Sequence, residues 1–334
     1  RPAGGRPVML KRDDDLVPAP PAADPAFRAD VIAGLTRRPR AIPARWFYDR
    51  RGSVLFEEIT RLPEYYPTRT ETALLRTISG EVAHLVGDGR AVIEFGSGSS
   101  GKTPILLEAV SASAYVPIDI SADFLRESAD ALARRFPDLP IHPLAADFTG
   151  PVALPPMVRD RPRLGFFPGS TIGNLVPFAA VDLLRMMRQS LGEGAMLLIG
   201  MDRIKDRATL ERAYDDAAGV TAAFNLNLLE RINRELQGSI PVEAFRHRAI
   251  WNADRARIEM HLEAAHDIAF TVAGRPFTMT RGEAIHTENS HKYGSRDARL
   301  LLRAGGWTPV AEWTDPDDLF AVHLAEAPPP RPAP

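Results

Sequence analysis

Ala91-Val-Ile-Glu-Phe95 and, directly after it, Gly96-Ser-Gly-Ser-Ser-Gly101 decide the fold class of this chain. The apolar run predicts a buried β-strand, and the glycines predict a tight turn that leads into a helix. Such a turn brings backbone N–H groups and a helix N-terminus next to a ligand, which suits nucleotide-like cofactors. The turn also reads G-x-G-x-x-G, so these residues alone leave a nicotinamide-dependent oxidoreductase open.

One acidic residue favours a different cofactor. Glu94 lies two positions before Gly96 and gives the pattern acid-x-Gly-x-Gly. This pattern resembles the first-strand signature of S-adenosylmethionine-dependent methyltransferases, in which the glycines let the backbone approach the methionine part of the cofactor. The candidate cofactor-binding residues of this segment are therefore Glu94, Gly96, Gly98 and Lys102.

Composition and charge narrow the class of protein further. The chain of 334 residues has a formal net charge of −2, so it lacks the basic field expected of a nucleic-acid-binding protein. It contains no cysteine, which excludes disulfides, thiolate catalysis and cysteine-based metal sites. Because we find no apolar run of membrane-spanning length and no secretory signal, we expect a cytoplasmic enzyme without a membrane or nucleic-acid partner.

Strands and helices alternate along the first 202 residues. Predicted helices are 26–38, 51–61, 70–85, 102–110, 123–135 and 178–191; predicted strands are 91–95, 114–120, 141–146, 164–167 and 195–201. This alternation implies an α/β fold with a parallel, doubly wound sheet. Together with the glycine turn, it indicates a Rossmann-like class I methyltransferase sheet.

The pattern changes after residue 202. The sequence predicts a helical stretch over 205–236, strands at 246–252, 256–265 and 268–273, a helix at 296–303, and closing strands at 308–314 and 319–325. Methyltransferase sheets typically end in such an antiparallel pair, so we interpret 204–294 as an inserted α+β substrate lobe. The predicted organisation is a mobile segment 1–25, a substrate-binding lobe of 26–69 and 204–294, a cofactor-binding methyltransferase domain of 70–203 and 295–327, and a Pro-rich tail 328–334.

Acidic residues stand at the ends of successive predicted strands. Asp119 closes the second strand of the sheet, where a carboxylate can accept hydrogen bonds from ribose hydroxyls. Asp147 closes the third and can accept from an adenine amino group while Phe148 covers the ring. Each aspartate could instead cap a helix. A dehydrogenase would explain one acid and the glycines but not Asp147-Phe148, so the three strand-end acids together favour the methyltransferase.

The segment after the fourth strand is more specific. Phe166-Phe-Pro-Gly-Ser-Thr-Ile-Gly-Asn174 leaves the sheet where methyltransferases place the group that faces the reacting methyl. Asn174 offers both a hydrogen-bond donor and an acceptor to a zwitterion. The alternative is a plain turn, in which Asn after Gly is common.

Five longer motifs carry a family resemblance. They are Tyr48-Asp-Arg-Arg-Gly-Ser-Val-Leu-Phe-Glu-Glu-Ile-Thr60, Leu62-Pro-Glu-Tyr-Tyr-Pro-Thr-Arg-Thr-Glu71, Phe167-Pro-Gly-Ser-Thr-Ile-Gly-Asn174, Ala213-Tyr-Asp-Asp216 with Val220-Thr-Ala-Ala-Phe-Asn225, and Thr287-Glu-Asn-Ser-His-Lys-Tyr293. They resemble the histidine Nα-methyltransferases of ergothioneine biosynthesis over roughly residues 26–327. The resemblance implies three successive methyl transfers from S-adenosyl-L-methionine to the α-amino group of L-histidine. The products are hercynine and S-adenosyl-L-homocysteine.

The resemblance also implies roles for residues of the substrate pocket. Tyr65 and Tyr214 donate to the substrate carboxylate, and Asn174 with the backbone of Gly169 orients the α-amino nitrogen. Glu288 and Ser290 hold the imidazole, because residues two apart in an extended segment share a face. Met260 lines the pocket. Tyr48 completes its wall and is a candidate proton relay, direct proton loss to water being the alternative.

Two alternatives and three further expectations complete the prediction. A different side-chain pocket would make the chain a methyltransferase for another amino acid, such as tryptophan. The glycine turn leaves the NAD-dependent oxidoreductase as a second alternative. We expect no metal, since His261 and His266 are five residues apart and poorly placed to act as one helical pair. L-histidine is the expected small-molecule partner. We expect a monomer.

Overall fold

The computed structural model describes residues 24–98, 101–150 and 152–328. The predicted mobile segment 1–25 and the Pro-rich tail 328–334 lie almost entirely outside these residues. The α-helices are α1 (Pro25–Thr36), α2 (Arg50–Ile59), α3 (Tyr66–Val86), α4 (Thr103–Ala109), α5 (Ala122–Arg135), α6 (Pro177–Leu191), α7 (Arg207–Tyr214), α8 (Val220–Glu235) and α9 (Ser295–Ala304). The strands are β1 (Arg40–Ala41), β2 (Ala91–Phe95), β3 (Ala114–Asp119), β4 (Leu144–Ala145), β5 (Arg163–Phe167), β6 (Met196–Asp202), β7 (Phe245–Asn252), β8 (Arg257–Ala264), β9 (Ile268–Val272), β10 (Arg275–Met279), β11 (Ala284–His291), β12 (Thr308–Thr314) and β13 (Phe320–Glu326).

The main sheet has seven strands in the order β12-β13-β6-β5-β2-β3-β4. Its strands from β4 to β6 are parallel, whereas β13 runs antiparallel to both β6 and β12. This topology confirms the predicted doubly wound sheet with a closing antiparallel pair. Every residue of β2 is buried, because helices cover both faces of a parallel sheet. The order along the chain reverses beside β2, so the turn after β2 opens into the crevice where such sheets bind ligands.

A second sheet has the order β1-β11-β8-β7, and β9 and β10 form a separate hairpin. On β8, Ile258, Met260 and Leu262 are buried while the residues between them stay partly accessible. The buried face joins a hydrophobic cluster that includes α1 and α8. Two other clusters lie around the main sheet, with Ile93 of β2 in one and Val92 in the other.

Several predicted element bounds were wrong. The predicted helix 205–236 is two helices, because Gly219 adopts φ +73° and Asp216 accepts from the N–H groups of Val220 and Thr221 at 2.9 and 2.8 Å. The predicted strand 141–146 pairs only as β4 and through a bridge at Ile141, since Pro143 offers no N–H.

The third helix and two strands also depart from the prediction. Helix α3 begins at Tyr66 rather than Thr70, with Tyr65 at its N-cap position. Pro67 supplies the preset φ of a first helical turn. Strands β1 and β10 were not predicted. Strand β10 pairs only with β9, where Pro276 is tolerated because it is not in a central strand.

Candidate functional site

The strand-end acid Glu94 braces the glycine turn. Its buried carboxylate accepts from the Thr103 hydroxyl at 2.7 Å and the Tyr115 hydroxyl at 2.5 Å. Burial raises the pKa of Glu94 to about 7, although both hydrogen bonds act to lower it. The side chain therefore ties β2 to β3 and to the start of α4, and so fixes the turn between them.

Gly96 and Phe148 meet at the entrance of the turn. Gly96 adopts φ +70°, which strains any other residue, and a Cβ there would lie 3.2 and 3.3 Å from two ring atoms of Phe148, so the ring would have to shift to admit it. The Phe148 ring packs edge-on against Phe95 and Phe167, with centroid distances of 6.3 and 5.8 Å. The sequence-predicted aromatic cover is thus held directly against the glycine turn.

Asp119 is fixed by two backbone N–H groups. Its Oδ2 accepts from Gly98 and its Oδ1 from Ser121, each at 3.0 Å. Ser121 occupies the N-cap position of α5, so the alternative of Asp119 as helix cap is wrong. Each carboxylate oxygen keeps a further lone pair for a ligand hydroxyl.

Asp147 lies in a turn and faces an unpredicted cation. Its carboxylate accepts from the N–H and hydroxyl of Thr149 at 2.9 and 2.6 Å and pairs with Arg45 at 3.0 Å. Partial burial would raise the pKa of Asp147, but these bonds outweigh burial and lower it. Arg45 also pairs with Asp30 at 2.7 Å. The contact links the predicted adenine-binding residue to the segment before Tyr48.

Glu71, which sequence reasoning missed, joins two predicted sites. Its carboxylate on α3 is 1% exposed, pairs with the Lys102 ammonium, and accepts from the Gly169 N–H at 3.0 and 2.9 Å. Gly169 adopts φ +79°. Because its N–H is engaged, its carbonyl oxygen is the group left to meet a substrate amine. The family motif that ends in Glu71 contained this signal, but no role was assigned to that residue.

Close packing of backbone atoms fixes the position of Asn174. It ends the 3-10 helix Thr171–Asn174, and a Cβ on Gly173 would lie 2.8 Å from the carbonyl oxygen of His291. The His291 Nδ1 bonds the Gly173 carbonyl at 2.9 Å. Among the described residues, the Asn174 amide has no hydrogen-bond partner. It is therefore available to a ligand beside the end of β11.

The predicted imidazole wall is an extended strand. Glu288 lies on β11 directly opposite Met260 of β8, after a bulge between His286 and Glu288. Burial raises the pKa of Glu288 to about 7, and no described residue donates a hydrogen bond to its carboxylate. The carboxylate lies deep in the protein yet keeps some accessible surface. A buried carboxylate that lacks a donor and has a raised pKa is a candidate for a functional site.

Two tyrosines predicted to bind the substrate carboxylate meet beside Ser290. The hydroxyls of Tyr214 and Ser290 are 2.7 Å apart. The ring of Tyr65 packs edge-on against that of Tyr214, with centroids separated by 5.9 Å. Both rings are 8% exposed. The structure therefore brings these three residues together in one buried polar corner.

Tyr48 lies between the two halves of the site. Its ring packs against Phe56 and Phe224, with centroids 5.7 and 5.8 Å away. Burial raises the pKa of Tyr48 well above its usual value, and the acidic groups of Glu288 and Asp119 raise it further. The hydroxyl is therefore protonated near neutral pH and acts as a donor, so it can relay a proton only by passing on its own.

A buried lysine that was not predicted stands behind the tyrosine corner. Lys292 has a fully buried side chain and donates to Tyr214 at 2.9 Å and to Ser290 at 2.8 Å. Its third partner is Asp202, at 2.7 Å. Lys292 belongs to the quoted motif 287–293, in which only Glu288 and Ser290 had been given roles. Two-residue spacing from Ser290 was the signal that pointed to it.

The outer face of the second sheet holds a possible metal-binding group. Glu259, His261 and His286 place ligand atoms within 4.8 Å of one another. However, the two imidazoles stack at 4.9 Å with an angle of 24° between planes, so their in-plane lone pairs do not converge. Arg257 also holds Oε1 of Glu259 at 2.8 Å. The expectation that methyl transfer needs no metal stays a prediction.

Within the described part of the chain, no helix combines the length and the apolar character required to cross a bilayer.

Comparisons with known proteins point to one family. A family model described as "Histidine-specific methyltransferase, SAM-dependent" matches residues 27–327. Histidine N-alpha-methyltransferase of Mycolicibacterium smegmatis is 42% identical over 310 residues, which cover 91% of this chain and 96% of that protein. The Mycobacterium tuberculosis protein of the same name is 42% identical over 306 residues, covering 90% and 94%. Ergothioneine biosynthesis protein 1 of Neurospora crassa is 30% identical over 298 residues, covering 86% of this chain and 33% of that protein.

Proposed function

Because the chain belongs to the histidine-specific, S-adenosylmethionine-dependent methyltransferase family, we propose that it trimethylates the α-amino group of L-histidine to give hercynine, the first step of ergothioneine biosynthesis. The sequence identity to two histidine N-alpha-methyltransferases supports this substrate. The observation that carries the proposal is the unpartnered Glu288 carboxylate deep in the protein, on the same strand face as Ser290. A neutral imidazole supplies the N–H that such a carboxylate lacks.

The cofactor lies along the carboxyl ends of β2, β3 and β4 in this proposal. The glycine turn lets the methionine part approach the backbone, Asp119 accepts from the ribose hydroxyls, and Asp147 accepts from the adenine amino group. The residues assigned to the cofactor are Glu94, Gly96, Gly98, Lys102, Asp119, Asp147 and Phe148. Family membership selects S-adenosylmethionine over a nicotinamide cofactor, so the oxidoreductase alternative is wrong.

Substrate recognition divides the amino acid into three parts. Tyr65 and Tyr214 donate to the carboxylate, while the Asn174 amide and the Gly169 carbonyl orient the α-amino nitrogen. Glu288 and Ser290 bind the two imidazole nitrogens, with Met260 and Tyr48 as neighbouring walls. An analogue that cannot hydrogen-bond to the buried Glu288 loses more binding free energy than an analogue that lacks one methylene group.

The reaction requires positioning more than acid–base chemistry. The lone pair of the neutral amine attacks the methyl carbon, the carbon–sulfur bond breaks, and its electron pair stays on sulfur to give S-adenosyl-L-homocysteine. Alignment of nitrogen, methyl and sulfur can supply about 7–11 kcal/mol of the barrier. Tyrosine faces near the growing quaternary ammonium contribute about 0.5–2 kcal/mol. A proton must leave the nitrogen before each of the three transfers, because the ammonium, methylammonium and dimethylammonium forms lack a free lone pair; it leaves through Tyr48 or directly to water.

We also propose the predicted division into a substrate lobe, 26–69 with 204–294, and a cofactor domain, 70–203 with 295–327. The separate sheets and separate apolar clusters support it. A cytoplasmic location stays a prediction from composition, and the monomer stays an expectation that no feature of the sequence supports.

Mass spectrometry tests the activity directly. Purified protein mixed with S-adenosylmethionine and L-histidine should convert histidine through three mass increments, each of about 14 Da, the mass of one methylene. L-tryptophan in the same assay tests the alternative substrate. Methylation of tryptophan but not histidine would overturn the assigned substrate, and no methylation of either would overturn the proposed function.

A further inference from the structure

Lys292 is a buried lysine that uses all three ammonium protons in hydrogen bonds beside the proposed pocket. Lys292 Nζ donates to Tyr214 at 2.9 Å, to Ser290 at 2.8 Å and to Asp202 at 2.7 Å. Its side chain is fully buried, and an ammonium has three donors and no acceptor. No proton of Lys292 is therefore left for a ligand, and the lysine can act on the substrate only through its partners.

Those bonds constrain the hydroxyls of Tyr214 and Ser290. Each oxygen accepts from Lys292, and the 2.7 Å contact between them uses one of their two protons. One hydroxyl proton remains to donate into the pocket. When Tyr214 donates it to the substrate carboxylate, Ser290 donates to Tyr214 and meets the imidazole through its remaining lone pair. Without the lysine, the two hydroxyls could exchange roles or turn away, because neither would have a fixed donor behind it.

Asp202 connects Lys292 to a second buried lysine. Asp202 pairs with both Lys205 and Lys292, each at 2.7 Å, so two cations share one carboxylate. The Tyr66 hydroxyl adds a neutral donor to Asp202 at 2.7 Å. Lys292 also acts on Glu288, whose pKa burial raises and the charge of Lys292 lowers, and Lys205 has Asp315 as a second acidic neighbour. Asp202 therefore fixes the positions of both ammonium groups without being their only counter-charge.

We propose that Lys292 is a positioning residue which, through Tyr214 and Ser290, makes this site require a substrate with an α-carboxylate. The inference rests on the proposed function, since it takes L-histidine as the ligand of this corner. Lys292 orients the donor proton without touching the substrate. Loss of the lysine should therefore affect ligands that carry a carboxylate far more than ligands that lack it.

Lys205 provides a matched control. It pairs with the same carboxylate of Asp202, but its other bonds run to the Tyr66 hydroxyl and the Arg203 carbonyl, each at 2.6 Å. It makes no contact with Tyr214 or Ser290. Lys205→Met thus removes a buried cation from the network and leaves the donor arrangement of the pocket in place.

The experiment compares Lys292→Met with Lys205→Met on L-histidine and on L-histidinol, which lacks the carboxylate. KM and kcat for L-histidine, the inhibition constant of L-histidinol and the Kd of S-adenosylhomocysteine are measured for each. For Lys292→Met we expect the KM of L-histidine to rise roughly 10- to 100-fold, as for a lost charge-assisted interaction. L-histidinol affinity and S-adenosylhomocysteine Kd should change less than about threefold, within ordinary context effects. Lys205→Met should keep the wild-type preference for L-histidine.

Three outcomes overturn the proposal. They are an equal loss of L-histidine and L-histidinol affinity in Lys292→Met, an unchanged preference in that variant, and the same shift in Lys205→Met. If Lys292→Met does not fold, Lys292→Gln serves instead, because its amide has only two N–H donors for the three partners of Lys292 and must also reduce the preference. Failure of wild-type protein to methylate L-histidine would instead refute the proposed function.

Discussion

Replacing Glu288 with glutamine should stabilise the ligand-free protein at alkaline pH while weakening its affinity for histidine. Glu288→Gln keeps the size of the side chain and removes its ability to ionise. The wild-type carboxyl has a pKa of about 7 against an ordinary value of 4.5, because it is buried without a partner. Ionising such a group is unfavourable in the fold and favourable in the unfolded chain.

The magnitude follows from the two pKa values. A carboxyl with a higher pKa in the fold binds its proton more tightly there, so the free energy of unfolding falls as pH rises from 4.5 to about 7. At about 1.36 kcal/mol per pKa unit, the loss is about 3 kcal/mol above pH 7. Glu288→Gln should recover up to that amount at pH 8 and nothing at pH 4. Glu94, whose pKa is also about 7, should leave a residual pH dependence.

Thermal unfolding from pH 4 to pH 8, with and without L-histidine, is the assay. The exposed Glu243→Gln is the control for a glutamate-to-glutamine change without burial. With ligand, Glu288→Gln should lose roughly 10- to 150-fold in histidine affinity, the equivalent of about 1.5–3 kcal/mol for a hydrogen bond to a charged group. The reasoning is refuted if the variant is no more stable than wild type at pH 8, or if its histidine affinity is unchanged.

Three further substitutions test the elements that build the site. Asp119→Ala should weaken S-adenosylhomocysteine binding roughly 10- to 100-fold by calorimetry; an equal effect on histidine would contradict the cofactor role. Gly173→Ala should lower kcat about 10-fold or more, because its Cβ would lie 2.8 Å from the His291 carbonyl, whereas Gly80→Ala has open space and should not. Glu71→Gln should reduce kcat/KM roughly 10-fold by weakening a charged bridge; unchanged kinetics would leave Glu71 a purely structural residue.

The glycine turn and the strand-end acids were predictable because their signals are local. Strands β2 and β3 are short apolar runs, the first followed by Gly96 and the second ending at Asp119. Parallel strands bring such ends to one edge of the sheet. The proposed pocket residues Tyr65, Tyr214 and Glu288 came from the family resemblance. Composition and periodicity alone did not separate them from ordinary core or loop residues.

The residues that sequence reasoning missed act through long-range contacts. Glu71 bonds Gly169 across 98 positions, and Lys292 bonds Tyr214 across 78. A buried charged residue looks like a surface residue in a sequence until its partners are known. The break between α7 and α8 was missed for another reason: a single Asp216 carboxylate binds two N–H groups there, and helical periodicity resumes directly afterwards.

The close packing of Gly173 on the backbone of His291 sets the reach of the pocket. In the proposed site, Asn174 binds one end of the substrate and Glu288 binds the other. The main-chain contact between Gly173 and His291 holds the two segments that carry these residues together. The distance between the two binding groups of the pocket is then fixed. A homologue of histidine with one additional carbon between amine and ring would overshoot it, and side-chain substitutions on β11 would alter which ring is accepted without changing that length.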